Sequence, residues 1–330
     1  MEDVIRIGTL GAAKITPGAL LKPAAVIPAA SIVAVAASSR ARAESFAAEH
    51  AIEQVYDSYT ALVEAPDLDL IYNPLPIDRH ADLSIGALQA GKHVLCEKPF
   101  AMNAAEAAAV LAAADRHGKR VIEAFHYRYH PAFAACMAAL RAGKIGRVRR
   151  VDAGFSVGIP FDPKEIRHRP ENGGGAMMDL GCYPLHWTLM LLDESPSAIE
   201  ADATLTRAGV DESMRCRLQF PGDVEAHLHC SMQEGQPFSA TLRVEGSAGT
   251  INFANPLHPH NGGQLLVSSS EGEERIAVSP ISTYTWQLAA VVEALRSDTP
   301  LPTEGGLIQR QQEALDAVYS AAGLAHLRTV

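Results

Sequence analysis

The sequence predicts an α/β domain of Rossmann type followed by an α+β domain with a large, mainly antiparallel sheet. Three observations carry this. The chain has 330 residues, more than one core of roughly 100–200 residues accommodates. Its first third alternates short β-rich runs with helical stretches, the rhythm of βαβ units around a parallel sheet covered on both faces. After about Phe125 it becomes a succession of strands separated by turn signals such as Pro221-Gly222 and Asn261-Gly262.

The elements follow in order. Residues 4–10 form a near-continuous apolar run and residues 31–37 a second, followed by the helical stretch 40–50. Residues 68–72 are a third strand, and a helix over 80–90 stops at Gly91. Residues 93–96 are a fourth strand. Asn103-Ala104-Ala105-Glu106 reads as a capping box with Asn in the capping position, and Gly118 suits the helix end. Residues 120–125 supply a further strand. In the second part, a helix over 130–141 leads into a strand over 148–157. Gly173-Gly174-Gly175 opens a helix to about Leu192. Strand-like runs follow at 198–206, 214–220, 224–231, 239–244, 250–253, 263–267 and 275–278, and helices over 283–296 and 306–327 close the chain. The domain boundary falls between residues 123 and 124: a dinucleotide-binding domain over 1–123, then a substrate-binding and oligomerisation domain over 124–330 whose terminal helix can pack back on the first.

Apolar residues make up 48% and charged residues 20%, which excludes a wholly disordered chain. Lys plus Arg is 28 against 38 for Asp plus Glu, a formal charge of −10 that argues against a nucleic-acid partner while leaving room for a local basic pocket. The start, with Glu2 and Asp3 and no long apolar core, is not a secretory signal, and no membrane span is expected. Cys96, Cys136, Cys182, Cys216 and Cys230 are odd in number and form no C-x-x-C pair, as expected of thiols in a reducing cytoplasm.

The first strand ends in Gly8-Thr9-Leu10-Gly11-Ala12-Ala13-Lys14-Ile15-Thr16. A dinucleotide fold puts its pyrophosphate here, on backbone N–H groups and a helix N-terminus. The usual G-x-G-x-x-G is degenerate, reading Gly11-x-Ala13-x-x-Thr16, and an ordinary strand-to-helix turn is the competing reading. Thr16-Pro17 fits an N-cap with proline at the first helical position. The second strand ends Ser38-Ser39-Arg40 without the acid that NAD-selective folds use for the ribose 2′-OH. Small hydroxyls and Arg40 suit a 2′-phosphate, whereas Arg42 reads as part of a solvated helix face. Asn73-Pro74-Leu75-Pro76 with His80, and Glu97-Lys98-Pro99, follow the third and fourth strands, where open α/β sheets bind ligands. His227 and His229 share one side of a strand with no third metal ligand by spacing, so no metal is expected. His258 and His260 flank Pro259 in a loop expected to face solvent.

With these motifs the chain resembles the Gfo/Idh/MocA oxidoreductases, which include glucose–fructose oxidoreductase and inositol dehydrogenase. The tripeptide Glu97-Lys98-Pro99 is diagnostic. The loop at Asn73 with His80, the segment from Glu123 to Pro131, and that from Gly173 to His186 are similar to the sugar and dihydrodiol dehydrogenase branch. The resemblance implies that Lys98 contacts substrate and cofactor, and suggests a cis Lys98–Pro99 bond. It implies that Asp179 and Tyr183 are the D-x-x-x-[HY] pair, Tyr183 handling a proton and Asp179 orienting the substrate. Their spacing of four also sets them on one helix face. Arg128 and Tyr127 line the nicotinamide side in this reading. His186 reaches a pocket rim or is bonded within the helix packing, and Arg167 is a further substrate contact. The cofactor set is then Gly8, Gly11, Ala12, Ala13, Lys14, Ile15, Ser38, Ser39, Arg40, Asn73, Pro74, Leu75, His80, Glu97, Lys98 and Arg128. The substrate set is Lys98, Asp179, Tyr183, Arg167 and His186.

The expected activity is hydride transfer between NADP, with NAD as the alternative cofactor, and a sugar, polyol or cyclic diol. A free tyrosine has a pKa near ~10, and Lys98 with an oxidised nicotinamide would favour its phenolate; Lys98 itself is the alternative base. Two other functions share the fold: a glycoside hydrolase that retains its cofactor for transient oxidation, and a non-catalytic NADP-sensing regulator. One face of the second sheet needs a cover, and the family commonly supplies it from a second subunit, so a homodimer or homotetramer is expected.

Overall fold

A computed structural model describes residues 4–329. Glu2 and Asp3, on which the absence of a secretory signal was argued, lie outside the described residues. The chain forms two compact units. The first comprises the chain up to His126 together with Tyr284–Gln309, the second Tyr127–Thr283 with the residues from Arg310 onward.

The first unit is a six-stranded parallel sheet built from β1 (Ile5–Leu10), β2 (Ala30–Ala36), β3 (Gln54–Tyr56), β4 (Leu70–Asn73), β5 (His93–Cys96) and β6 (Val121–Glu123). Their order is β3-β2-β1-β4-β5-β6, and every pairing within the sheet is parallel. The carboxyl ends of the strands therefore lie along one edge, with a topological switch point between β1 and β4. β3 escaped the sequence pattern because three half-buried residues at a sheet edge show neither alternation nor an apolar run.

Both faces of this sheet are buried, which corrects the domain boundary drawn from the sequence. One face packs Ile71, Val94 and Cys96 against Leu83, Ala87, Val110 and Ala113 of the helices His80–Gln89 and Ala104–His117. The other packs Ile7, Leu70, Leu95 and Ile122 against Leu288, Val291 and Val292. These come from the helix Thr283–Ser297, which the sequence reading had given to the second domain. A parallel sheet needs a cover on each face, and this late helix is part of it. Arg120 fixes the returning segment by donating to the carbonyls of Ala294 and Thr299, each at 2.7 Å, and by pairing with Glu304 at 2.6 Å. The terminal helix Gly306–Ala321 is shared by the two units, which divide after Gln309.

The second unit is an eight-stranded sheet: β7 (Val148–Ser156), β8 (Ala198–Leu205), β9 (Asp211–Phe220), β10 (Val224–Ser231), β11 (Ser239–Gly246), β12 (Gly249–Ala254), β13 (Gln264–Ser269) and β14 (Gly272–Ile276). The order is β14-β13-β12-β11-β7-β10-β9-β8, antiparallel except for the pair β7 and β10. The period-2 pattern of burial defines its faces. Ala226, Leu228 and Cys230 of β10 are buried with Met214, Cys216 and Leu218 of β9, beneath the helix Cys182–Leu192 and the turn before it. The opposite face carries polar side chains, among them Asp152, Arg215, His227, His229 and Arg243.

Two local signals have the expected geometry. Asn103 accepts the Glu106 N–H at 2.9 Å, and Gly118 closes the helix in the left-handed region at φ +59. Glu106 reaches back to the Met102 N–H at 2.9 Å. Thr16 is a correction: its backbone is helical and its side chain makes no capping bond, because the segment continues from it into the π-turn Pro17–Leu21. His258 and His260 are half-buried and not turned to solvent, and burial pushes His258 down to about 4. No helix among the described residues is long and apolar enough to cross a membrane. Replacing Asn103 by Ala should destabilise the first unit by about 1 kcal/mol, the usual worth of an N-cap. Urea unfolding of the two proteins measures this, and equal midpoints with equal slopes would refute it.

Candidate active site

In the first unit the sequence-derived candidates other than Gly8 lie at or just beyond the carboxyl ends of the parallel strands. Gly8 lies within β1, where a Cβ would come within 2.7 Å of Leu68 and 2.9 Å of Leu62. Gly11 turns the chain at φ +83, donates to the Ala36 carbonyl at 2.6 Å, and has no room for a Cβ beside Leu75. Ala12 and Ala13 are half-buried, while Lys14 and Ile15 are exposed at the tip. The hydroxyls of Thr9 and Thr16 are buried here and find no hydrogen-bond partner among the described residues.

The end of β2 differs from the sequence reading in its details. Ser39 is spent as an N-cap, accepting the Arg42 N–H at 3.4 Å. Arg40 is drawn off by two acids, Glu44 at 2.8 Å and Asp57 at 2.5 Å. Arg42 instead returns to Ser38, its guanidinium donating to the hydroxyl at 3.1 Å. The spacing of four between Ser38 and Arg42 on a helix start was the available signal. A 2′-phosphate fits this pair. The cramped glycine turn, the orphaned hydroxyls and the Ser38–Arg42 pair together suit a phosphorylated dinucleotide.

The loops after β4 and β5 are braced by buried polar groups. Asn73 is fully buried and stitches its loop, donating to the His80 carbonyl at 3.3 Å and accepting from Leu75 N–H at 3.4 Å. The His80 ring lies between two carbonyls, Pro99 at 3.0 Å from Nδ1 and Leu75 at 2.8 Å from Nε2, and so ties one loop to the other. Burial lowers its proton affinity. Pro74 is buried with the loop. Glu97 is buried and accepts the Tyr72 hydroxyl at 2.7 Å, so its carboxylate is turned into the fold. Glu123, which the sequence reading did not single out, accepts the Phe100 N–H at 3.1 Å and is pushed up to about 8, first by burial and then by Glu97. Between these anchors stands half-buried Lys98, and the Lys98–Pro99 bond is cis, as the resemblance suggested.

In the second unit three glycines start the helix that carries Asp179 and Tyr183. Gly173 takes φ +74, a Cβ on Gly174 would meet the Arg167 and Arg169 carbonyls at 2.7 and 2.8 Å, and Gly175 lies against Asp211 at φ +129. The five-residue π-turn Met177–Gly181 then leads into Cys182–Leu192. Asp179 is half-buried and accepts from Arg167 Nε at 2.6 Å, while Glu165 takes a second guanidinium nitrogen at 2.9 Å. Arg167 therefore holds Asp179, and Asp179 in turn strengthens its charge. Tyr183 is 4% exposed, its ring 5.8 Å from Phe155, 6.2 Å from Tyr127 and 6.4 Å from Trp187.

Of the two sequence readings of His186, a pocket rim or a bond within the helix packing, its surroundings match the second. It is 1% exposed, Nδ1 meets the Tyr127 hydroxyl at 2.5 Å, and burial with nearby Arg128 holds it well below the usual histidine range. Arg128 is half-buried over the Phe133 ring at 5.6 Å, its Nε without a partner among the described residues. His227 is engaged by Arg150 at 3.2 Å, and His229 lies 3.4 Å from Ser156.

The comparisons with known proteins accord with this geometry. Residues 5–125 match the oxidoreductase family with an NAD-binding Rossmann fold, and residues 133–252 the GFO/IDH/MocA C-terminal domain. The chain is 32% identical to a D-xylose 1-dehydrogenase (NADP(+)) of Haloferax volcanii, with 96% of each chain covered. It is 36% identical to a trans-1,2-dihydrobenzene-1,2-diol dehydrogenase of Xenopus tropicalis over 68% of each. Among solved structures it is similar to a 3-ketoreductase from Actinomadura kijaniata, solved with NADP and TDP-benzene, with a TM-score of 0.86, 25% identity, and coverage of 96% of this chain and 98% of the other. A strand-edge cradle suited to a dinucleotide, a braced lysine and a glycine-started Asp–Tyr helix thus occur in a chain that belongs to the Gfo/Idh/MocA oxidoreductase family.

Proposed function

We propose that the protein is an NADP-preferring dehydrogenase of a sugar, polyol or cyclic diol, working in the cytoplasm as a homodimer or homotetramer. The observation that carries the reading is the presentation of Asp179 and Tyr183 by one rigid turn and helix. The named activities of the xylose and diol dehydrogenase relatives support it. When bound, the nicotinamide supplies the hydride acceptor. Tyr183 takes the proton of the hydroxyl whose carbon is oxidised. Its ring is fixed by Phe155, Tyr127 and Trp187, which keep water from that side. Asp179, held by Arg167, accepts hydrogen bonds from substrate hydroxyls and so orients them. Lys98 donates to a substrate hydroxyl.

Tyr183→Phe keeps the ring and should lower kcat by roughly 10²–10⁴, the usual worth of a general acid–base group, with little change in cofactor affinity. Lys98→Ala should weaken both kcat and substrate binding. NADPH formation on a panel of aldoses, polyols and dihydrodiols measures both. Near-native turnover by Tyr183→Phe, where an isotope effect shows hydride transfer limiting, would make Lys98 the base. Turnover of the unaltered protein without net NADP reduction would indicate a redox-neutral hydrolase.

Cofactor choice rests on Ser38 and Arg42, since Arg40 is already paired with two acids. Arg42→Ala should reduce kcat/KM with NADP more than with NAD, and more than Arg40→Ala does. Steady-state kinetics with both cofactors decide this; an equal loss for the two cofactors would place the 2′-phosphate elsewhere.

The polar face of the second sheet, which carries Asp152, Arg215, His227 and Arg243, is the surface offered for use between subunits. Light scattering at micromolar concentration should give a dimer or tetramer, and a monomer would reject the assembly.

A further inference from the structure

Asp211, at the start of β9, is an aspartate withdrawn from solvent, 0% exposed. Its Oδ2 accepts the Met177 N–H at 2.6 Å, and its Oδ1 accepts the Tyr319 hydroxyl at 2.7 Å. Met177 is the first residue of the π-turn that carries Asp179 and continues into the helix of Tyr183. Helix starts leave backbone N–H groups unpaired, and a π-turn, with its bonds reaching one residue further, is uncommon and concentrated at functional sites. Asp211 is an acceptor from outside the turn for its first N–H.

The surroundings are shaped for this contact. A Cβ on Gly175 would lie 2.1 Å from Asp211 Oδ1 and 2.9 Å from the Tyr319 hydroxyl, so only glycine lets the carboxylate approach the turn. Tyr319 belongs to the helix Gly306–Ala321, and the Arg328 guanidinium lies 5.6 Å over its ring. Arg328 is itself tied to Asp316 at 2.8 Å and to Gln312 at 2.9 Å. Burial raises the Asp211 carboxyl, while the Met177 amide, the Tyr319 hydroxyl and the Arg328 charge oppose that rise. A buried carboxylate is tolerated only with its oxygens bonded, so anchor and turn hold one another.

We propose that Asp211 is a positioning residue for the catalytic helix, fixing the π-turn through Met177 and with it the relative orientation of Asp179 and Tyr183. The proposal rests on the roles given above to those two residues. Relaxation of the turn from π winding to 3.6 residues per turn would change the rotation of Asp179 relative to Tyr183 about the helix axis. Asp211 acts through the backbone and touches no substrate.

Two variants test it, Asp211→Asn and Tyr319→Phe, both followed by circular dichroism for folding. In Asp211→Asn, kcat should fall about tenfold to a hundredfold, the factor carried by a hydrogen bond to a charged acceptor. KM for NADP should stay within about twofold of native. Amide hydrogen exchange over 177–183 should accelerate while the strands β9 and β10 stay protected. Tyr319→Phe should show the same pattern with a smaller loss. A folded Asp211→Asn with native kcat and native exchange at 177–183 overturns the proposal, and so does exchange that rises uniformly across the unit. Should Asp211→Asn not fold, Tyr319→Phe is judged by the same criteria. Failure of the unaltered protein to oxidise any sugar or diol would instead sink the proposed function, and the exchange pattern would still decide whether Asp211 fixes the turn.

Discussion

The constraint on which the first unit depends is the burial of polar groups where the parallel strands end. A parallel sheet covered on both faces leaves its carboxyl edge as the place where side chains can meet a ligand. The loops there carry backbone carbonyls and amides that must be paired inside the fold. Asn73, His80 and Glu123 do this pairing, Glu97 takes the Tyr72 hydroxyl, and all four are withdrawn from water. Lys98 is presented from between two of them. Its surroundings are costly to assemble, since one of the carboxyls, Glu123, is pushed up to about 8. The effect is a lysine on a segment gripped at the Pro99 carbonyl and the Phe100 amide, with little freedom left to lose on binding.

The second unit solves a related problem with glycine. Each glycine of the Gly173–Gly175 run meets a different requirement: a left-handed turn, the carbonyls of Arg167 and Arg169, and the carboxylate of Asp211. Gly181 continues the pattern, since a Cβ there would stand 2.9 Å from the Cys230 sulfur of β10. The helix of Tyr183 therefore lies hard against the sheet, and its aromatic neighbours come from that sheet and from the segment at Tyr127. Close packing of this kind passes a displacement at one residue to the next, so groups far from the chemistry can govern it.

The charges follow the same logic. Arg40, Arg42 and Arg167 look alike in sequence, as arginines in loops or at helix starts. Arg40 is neutralised by Glu44 and Asp57, Arg167 by Glu165 and Asp179, and Arg42 donates to the Ser38 hydroxyl. Exposed pairs of this kind contribute little to stability. Their consequence is local: Arg40 and Arg167 each face two carboxylates, whereas Arg42 faces a neutral hydroxyl.

Much of this protein was determined by its sequence alone. Hydrophobic runs, glycine and proline punctuation and the Asn103 cap report local conformation, so the parallel sheet, the later antiparallel sheet and the helix of Asp179 and Tyr183 were all legible. The motif at Glu97 to Pro99 pointed to the family because its chemistry lies in adjacent residues. Only the tertiary structure decided which partner each polar side chain takes. The return of Thr283–Ser297 to the first sheet, the burial of His186 on Tyr127, the capture of Arg40 by Asp57, and the union of Asp211 with Met177 and Tyr319 each join residues distant in the chain. Hydrophobic periodicity records which face of an element is buried. It carries no record of which other element arrives there, because that is settled by packing shape and by the need to pair every buried polar group.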